Sequence, residues 1–267
     1  LEPRCVVFGK KLREIVPSQT AALKYDLHFA DGTTAAAFDL VVGADGAWSR
    51  VRSFVSSAVP RYSGISMVAA SLDNVHANPW LEAYVGEGTM FAFGADTSMT
   101  AQRGDAGYLL TYASLRVPED FLDKCGINWA ADGAAAREQY MQKYFAHVHP
   151  DLQRVFLEST DDLTPRQLYE LPVGFEWTHR PGVTLVGDAA HVMTPFAGVG
   201  VNVGMTDALV LGREIVDACA GRKSLDEAVQ AYEVEMVPRA AAFAQKTLQG
   251  KERHFSGRGA EDFAGML

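Results

Sequence analysis

The sequence predicts an α/β fold interrupted by an antiparallel, β-rich domain, and three observations carry that prediction. Two short apolar segments, DLVVGADG from Asp39 and GVTLVGDA from Gly182, each run into an acid–glycine pair. Runs of this length and composition suit strands buried on both faces of a parallel sheet. Between them, residues 62–115 hold aromatic and β-branched segments divided by Gly and Asp turns, the pattern of an antiparallel sheet. After the second acid–glycine pair, the apolar residues recur with helical spacing.

Lys24–Phe29 and Thr33–Phe38 read as a hairpin around Asp31–Gly32, a strong turn dipeptide. The first apolar strand follows at once, and Ala47–Val55 resembles the opening turns of a helix carrying Ser49, Arg50 and Arg52. The two arginines are read there as structural ion pairs rather than phosphate contacts. In the β-rich part the expected extended segments are LEAYV, TMFAF, SMTAQ and GYLLTYASL. Residues 133–158 turn helical, with Tyr140, Met141, Tyr144, Phe145, Val148 and Leu152 along one stripe, and Leu168–Trp177 returns as extended chain. Beyond the second acid–glycine pair, Met205, Ala208, Leu209, Gly212, Ile215 and Val216 are the expected inner face of one helix. Ser224 with Glu227 forms a capping box for the next, whose inner face is Leu225, Val229, Tyr232 and Met236. The resulting division is 1–59 and 181–248 for the α/β domain, 60–180 for the inserted β-rich domain, and 249–267 for a C-terminal tail.

A formal net charge of −9 argues against nucleic acid or an anionic membrane as the main partner. No apolar run approaches the roughly 18 residues of a membrane span. The three cysteines (Cys5, Cys125, Cys219) form no CxxC pair, so neither a disulfide framework nor a zinc ribbon is suggested, and a reducing, cytoplasmic setting is expected. His147 and His149, two apart before Pro150, read as surface residues rather than a metal site. There is no GxSxG nucleophile elbow and no HExxH.

The chemistry concentrates at 182–202, GVTLVGDAAHVMTPFAGVGVN. A strand ending in an acid, followed by a Gly-rich entry to a helix, is how α/β proteins hold nucleotide-like cofactors. Gly187 allows close backbone approach, Asp188 presents a carboxylate, and Pro195 stiffens the loop. Gly198 and Gly200 permit unusual φ/ψ and deliver the amides of Val201 and Asn202 to a helix start, where they favour negative charge. Taken alone, Asp188 is more often an N-cap than a ligand, and the PFAGVGVN continuation reverses that order; for Asp45 beside Gly46 a turn or helix cap is the lesser alternative. GVGVNVG at 198–204 is a weak match to GxGxxG, because its last glycine falls one residue late and a loop precedes it. His191 reads as a loop-packing residue rather than a base.

DLVVGADGAWSRVR resembles the strand motif near the pyrophosphate and NADPH contacts of the FAD-dependent aromatic hydroxylase-type monooxygenases. GVTLVGDAAHVMTPFAGVGVNVGMTDALVL resembles their flavin-ribityl motif. The resemblance covers nearly the whole chain and is greatest to tetracycline-inactivating and fungal secondary-metabolite monooxygenases. It implies an FAD-binding, Rossmann-like domain of the glutathione-reductase type with an inserted antiparallel-sheet substrate domain. The GxGxxG unit of that family is not in this sequence, so the FAD-binding domain is expected to be incomplete. The implied cofactor-binding residues are Asp45, Gly46, Gly187, Asp188, Pro195, Gly198, Gly200, Val201 and Asn202. The implied cofactors are FAD and NADPH, with O2 and an apolar, aromatic or polyketide-like molecule as reactants, by hydroxylation or Baeyer–Villiger oxidation. The redox chemistry belongs to the flavin, so no catalytic side chain is expected. Strand alternation offers Phe91, Thr100 and Tyr112 as substrate contacts, with core packing the alternative. The other reading of the chain is a flavin-independent binder or cyclase on the same scaffold.

Overall fold

A computed structural model describes residues 5–130 and 133–265. In chain order its strands are β1 (Leu12–Pro17), β2 (Tyr25–Phe29), β3 (Thr34–Phe38), β4 (Val41–Gly43), β5 (Arg61–Leu72), β6 (Thr89–Phe93), β7 (Thr97–Arg103), β8 (Leu109–Arg116), β9 (Leu163–Glu170) and β10 (Val183–Leu185). The helices are α1 (Arg52–Val55), α2 (Pro79–Val85), α3 (Phe121–Lys124), α4 (Gly133–Tyr144), α5 (Pro150–Leu157), α6 (Asp188–His191), α7 (Gly200–Cys219), α8 (Leu225–His254) and α9 (Gly259–Ala264). The chain divides into two compact units, Leu1–Arg61 with Tyr169–Leu248, and Tyr62–Leu168 with Gln249–Leu267.

In the first unit β1, β2 and β3 form an antiparallel sheet. Its second hairpin turns where expected, with Gly32 at φ 82° and the Asp31 carboxylate accepting from the Thr33 amide at 2.9 Å. Strands β4 and β10 pair in parallel, Val41 opposite Val183 and Gly43 opposite Leu185. Val183 and Leu185 are fully buried, and with Val41, Val51, Ala189, Leu211, Tyr232 and Met236 they form the core of this unit. Each such aliphatic side chain removed from water stabilises the unit by about 1.5–3 kcal/mol. Gly43 is required: a Cβ there would lie 2.6 Å from Leu185 and 2.7 Å from Val51. The capping box forms as read, with the Glu227 carboxylate accepting from the Ser224 amide at 2.7 Å and Ser224 Oγ accepting from the Glu227 amide at 3.1 Å.

Two expectations in this unit are corrected. The stretch from Ala47 yields helix only at Arg52–Val55, because residues 46–50 wrap around the Asp45 carboxylate as a capped turn. The face of α7 read as inner is largely the outer one: Met205 is 67% exposed, Leu209 52% and Val216 62%. The buried stripe is instead Val203, Asp207 and Leu211, with an acid at its centre. A hydrophobicity rule passes over an aspartate, yet this one has every hydrogen bond it needs, as described below.

In the second unit the sheet runs β6-β7-β8-β5-β9. Helices α4 and α5 cover one face, burying Tyr140, Met141, Phe145 and Phe156 against Val68, Ala70, Met99, Ala113 and Leu115. The predicted helical stripe is the buried one, and Pro150 divides it into two helices, His149 capping the second through the Asp151 amide at 3.2 Å. LEAYV is not a strand but lies in α2, because Asn78 caps that helix through the Leu81 amide at 3.1 Å and Pro79 suits its first turn. The interior strand β5, between β8 and β9, is not among the expected segments; its Ser, Gly and Ala residues dilute the strand signal.

The dividing lines also differ from the sequence reading. Residues 169–180 belong with the first unit, where the Leu171 amide donates to Val192 O at 2.9 Å and Trp48 meets Tyr169 edge-on. Residues 249–267 belong with the second, where the Asp96 amide donates to Phe255 O at 3.1 Å and His254 meets Phe93 edge-on. Among the described residues no helix is long and apolar enough to cross a membrane, and the three cysteines are free.

Candidate functional site

Because β4 and β10 are parallel neighbours, their two acid–glycine pairs emerge at the same end of the sheet, its carboxyl edge, where open α/β sheets bind ligands. The two acids differ in state. Asp45 is spent on its own loop: its carboxylate accepts from Ser49 Oγ, from the Arg50 amide at 2.7 Å and from the Val51 amide at 3.3 Å, the capping reading of this residue. Gly46 follows at φ 78°. Asp188 is exposed, and among the described residues its carboxylate has no hydrogen-bond partner.

Asp188 opens the single turn α6, entered through Gly187 at φ 59° and ψ −141°, a conformation reserved for glycine. The turn closes through the Ala190 and His191 amides, which donate to Gly187 O at 2.8 and 2.9 Å. Pro195 then starts a short 3₁₀ turn ended by Gly198 in the left-handed region, φ 65° and ψ 22°. Helix α7 begins at Gly200 with no side-chain cap, leaving the amides of Gly200, Val201 and Asn202 without intrahelical partners. Val201 is 78% exposed and Asn202 exposed. Gly204, the late glycine of GVGVNVG, packs α7 against the acid–glycine turn: a Cβ on it would touch the Gly187 Cα at 3.4 Å. Its role is close backbone packing, not a dinucleotide fingerprint.

Three groups that sequence reasoning missed hold these loops. Arg52 is no ion pair: it is buried, and its guanidinium donates to Ala47 O in the first loop and to Ala189 O at 3.0 Å and Asp188 O at 3.4 Å in the second. Burial pushes its pKa down, against the pull of the Asp45 carboxylate. Asp207, fully buried on α7, accepts from the Gly187 amide at 2.9 Å, from His191 Nε2 at 2.6 Å and from Arg239 at 3.0 Å. Burial alone would raise its carboxyl, but the bonds from His191, Gly187 and Arg239 outweigh it and hold the carboxyl below its usual value. Further back, Glu233 accepts from Thr184 Oγ1 at 2.8 Å, Trp177 Nε1 at 3.3 Å and His179 Nδ1 at 2.6 Å, tying the 177–184 segment to α8. The one sequence signal for Asp207 is an acid inside an otherwise apolar helix face; Arg52 and Glu233 carry none.

In the second unit Phe91 pairs with Thr100 and Thr100 with Tyr112, so the three candidate substrate contacts form one row across three strands. Their neighbours Met99 and Ala113 pack under the helices, which places the row on the opposite face of the sheet. Phe91 is exposed, and Thr100 and Tyr112 are half-buried; burial raises the Tyr112 hydroxyl above its ordinary pKa, against the pull of Arg166.

Comparison with known proteins gives the frame for this geometry. The chain is 32% identical over 278 residues to monooxygenase penA of Penicillium thymicola, an alignment covering 89% of this chain and 64% of that protein. It is 28% identical over 327 residues to monooxygenase asqM of Emericella nidulans, covering 97% and 71%. Among solved structures, Klebsiella pneumoniae HpxO, complexed with FAD and uric acid, superposes with a TM-score of 0.75 at 21% identity, over 96% of this chain and 61% of HpxO. The chain thus spans somewhat under two thirds of the length of penA and HpxO. The profile of the FAD binding domain family matches residues 19–247, and the chain belongs to that family.

Proposed function

We propose that this chain holds the riboflavin portion of FAD in a monooxygenase that inserts one atom of O2 into an apolar organic molecule at the expense of NADPH. The observation that carries the reading is the pairing of Asp188, an exposed carboxylate without a hydrogen-bond partner among the described residues, with the uncapped start of α7 in the same connected loop. The donor set fits a flavin. A lone carboxylate accepts hydrogen bonds from a polyol without needing a metal. Free helix-start amides favour the negative charge that a reduced isoalloxazine ring carries. Gly187 and Gly198 keep side chains out of the way where the backbone would approach the ring system.

In this reading Asp188 binds the ribityl hydroxyls, the amides of Gly200, Val201 and Asn202 lie toward the ring, and Pro195 stiffens the loop beside it. Asp45 and Gly46 shape the loop near the pyrophosphate through the backbone, since the Asp45 carboxylate is taken. Bound FAD supplies the redox and oxygen chemistry; the chain contributes position, electrostatics and shielding from water. The substrate rests on the sheet face of Phe91, Thr100 and Tyr112, whose aromatic surface and hydroxyls suit a flat molecule bearing few polar groups. An aromatic or polyketide-like compound matches that face, and relatives named as monooxygenases support the reaction class. Three free cysteines suit a reducing, cytoplasmic setting.

The test is FAD titration of the chain by fluorescence quenching. Asp188→Ala is expected to weaken binding by at least about tenfold, a loss of roughly 1.4 kcal/mol. An unchanged affinity in that variant rejects the site.

A further inference from the structure

The Asp207 cluster lies behind the turn that carries Asp188, and its geometry serves that turn. Asp207 Oδ2 accepts from the Gly187 amide at 2.9 Å and from His191 Nε2 at 2.6 Å. Those two groups are the first and last residues of the Gly187–His191 turn, so one carboxylate oxygen grips both ends and Asp188 is enclosed between them. Arg239 holds the other oxygen at 3.0 Å. Asp207 is fully buried and His191 is 6% exposed, so the interaction is little screened by solvent.

The cluster is also poorly satisfied away from Asp207. His191 Nδ1 and Arg239 Nε are buried without hydrogen-bond partners among the described residues. An acid, an imidazole and a guanidinium in a core can often be replaced by apolar residues without loss of stability. Here three of the cluster's bonds converge on the carboxylate that grips the turn, while the other arm of Arg239 donates to the Glu235 carboxylate at 2.6 Å. The Gly187 conformation, φ 59° and ψ −141°, is one that glycine adopts readily, and Asp207 holds its amide while the turn's own amides hold its carbonyl.

We infer that Asp207, with His191 and Arg239 as its braces, is a positioning residue that sets the Gly187–His191 turn and thereby aims the Asp188 carboxylate. The consequence for FAD rests on the function proposed above; the clamp on the turn does not.

Two readouts on the full chain test it. The first is amide hydrogen exchange without any ligand. In Asp207→Asn, which keeps the volume and removes the charge, protection is expected to fall by about tenfold at Gly187–His191 and much less at the β10 amides of Val183–Leu185. A uniform loss across both segments, or no loss at the turn, overturns the clamp. The second is FAD affinity, expected to weaken roughly tenfold in Asp207→Asn and by less than about twofold when the same change is added to Asp188→Ala. Additive losses overturn the claim that Asp207 acts through Asp188, and so does an affinity within about twofold of the parent in Asp207→Asn alone. If the parent chain binds no FAD, the cofactor reading fails and the exchange experiment alone decides the clamp. Should Asp207→Asn fail to fold, His191→Leu and His191→Gln replace it: turn protection is expected to fall in the former, and equal protection in both overturns the proposal.

Discussion

Gly43→Ala places a methyl group where β4, β10 and the first acid–glycine loop meet. Its Cβ would stand 2.6 Å from Leu185 Cδ2, 2.7 Å from Val51 Cβ and 2.9 Å from Val51 Cγ1. Leu185 can retreat only by rotating within a core where it is fully buried, and Val51 Cβ moves only with its backbone. Forcing a methyl into such a core costs about 1–3 kcal/mol. Against this, alanine loses less chain entropy than glycine on folding, worth about 0.4–1 kcal/mol where the backbone conformation allows it. The packing effect is the larger, so a net destabilisation of about 1–2 kcal/mol is expected, which for a chain of this size is a fall of roughly 2–8 °C in Tm. Thermal unfolding followed by circular dichroism measures it. Val51→Ala in the same molecule removes the Cγ1 contact but keeps Cβ, so it relieves the clash in part and the double variant should lose less than the sum of the single losses. An unchanged or raised Tm for Gly43→Ala, or strict additivity with Val51→Ala, refutes the reasoning.

Two further outcomes follow from other groups. Arg52→Met removes the shared donor of three carbonyls but also relieves the burial of a charge; charged hydrogen bonds at about 1.5–3 kcal/mol each leave a net loss of about 2–3 kcal/mol, and a change below about 0.5 in urea unfolding contradicts it. At His179, burial lowers the pKa, but hydrogen bonds to Glu233 and Asp226 outweigh it and hold the imidazole above its ordinary value. A raised folded-state pKa gives stabilisation that is complete below the unfolded value near 6.5 and disappears as pH climbs through the folded value. Stability measured from roughly pH 6 to 9 should therefore fall, and His179→Gln should flatten the slope; an unaltered slope excludes this source.

What was legible in the sequence was local. The apolar runs at β4 and β10, the hairpin turn, the capping box and the glycines after Pro195 each declare themselves within a few residues, and so did the exposed acid at 188 and the helix start at 200. What escaped was set by distance along the chain. Arg52 and Ala189 are separated by 137 positions, and an arginine bonded to carbonyls leaves no pattern of opposite charges to find. Asp207 is hidden differently: it occupies a core position on α7, where periodicity looks for an apolar residue, and the neighbouring stripe is the more apolar one. The helix at 79–85 is masked in the sequence because its strand-forming side chains compete with the signal of the Asn78–Pro79 cap. The row of Phe91, Thr100 and Tyr112, by contrast, needed only strand alternation and a register, and alternation was visible.

The Arg52 guanidinium has a consequence for how the two loops respond to a ligand. Ala47 and Ala189 are held by one rigid, planar group, so neither loop can be displaced without straining the bonds to the other. Whatever steadies the turn around Asp188 therefore lowers the free energy of ordering the loop after Asp45, and by thermodynamic reciprocity the reverse is equally true. Two contacts made by opposite portions of one long ligand would then be cooperative, each tightening the other through a side chain that touches neither.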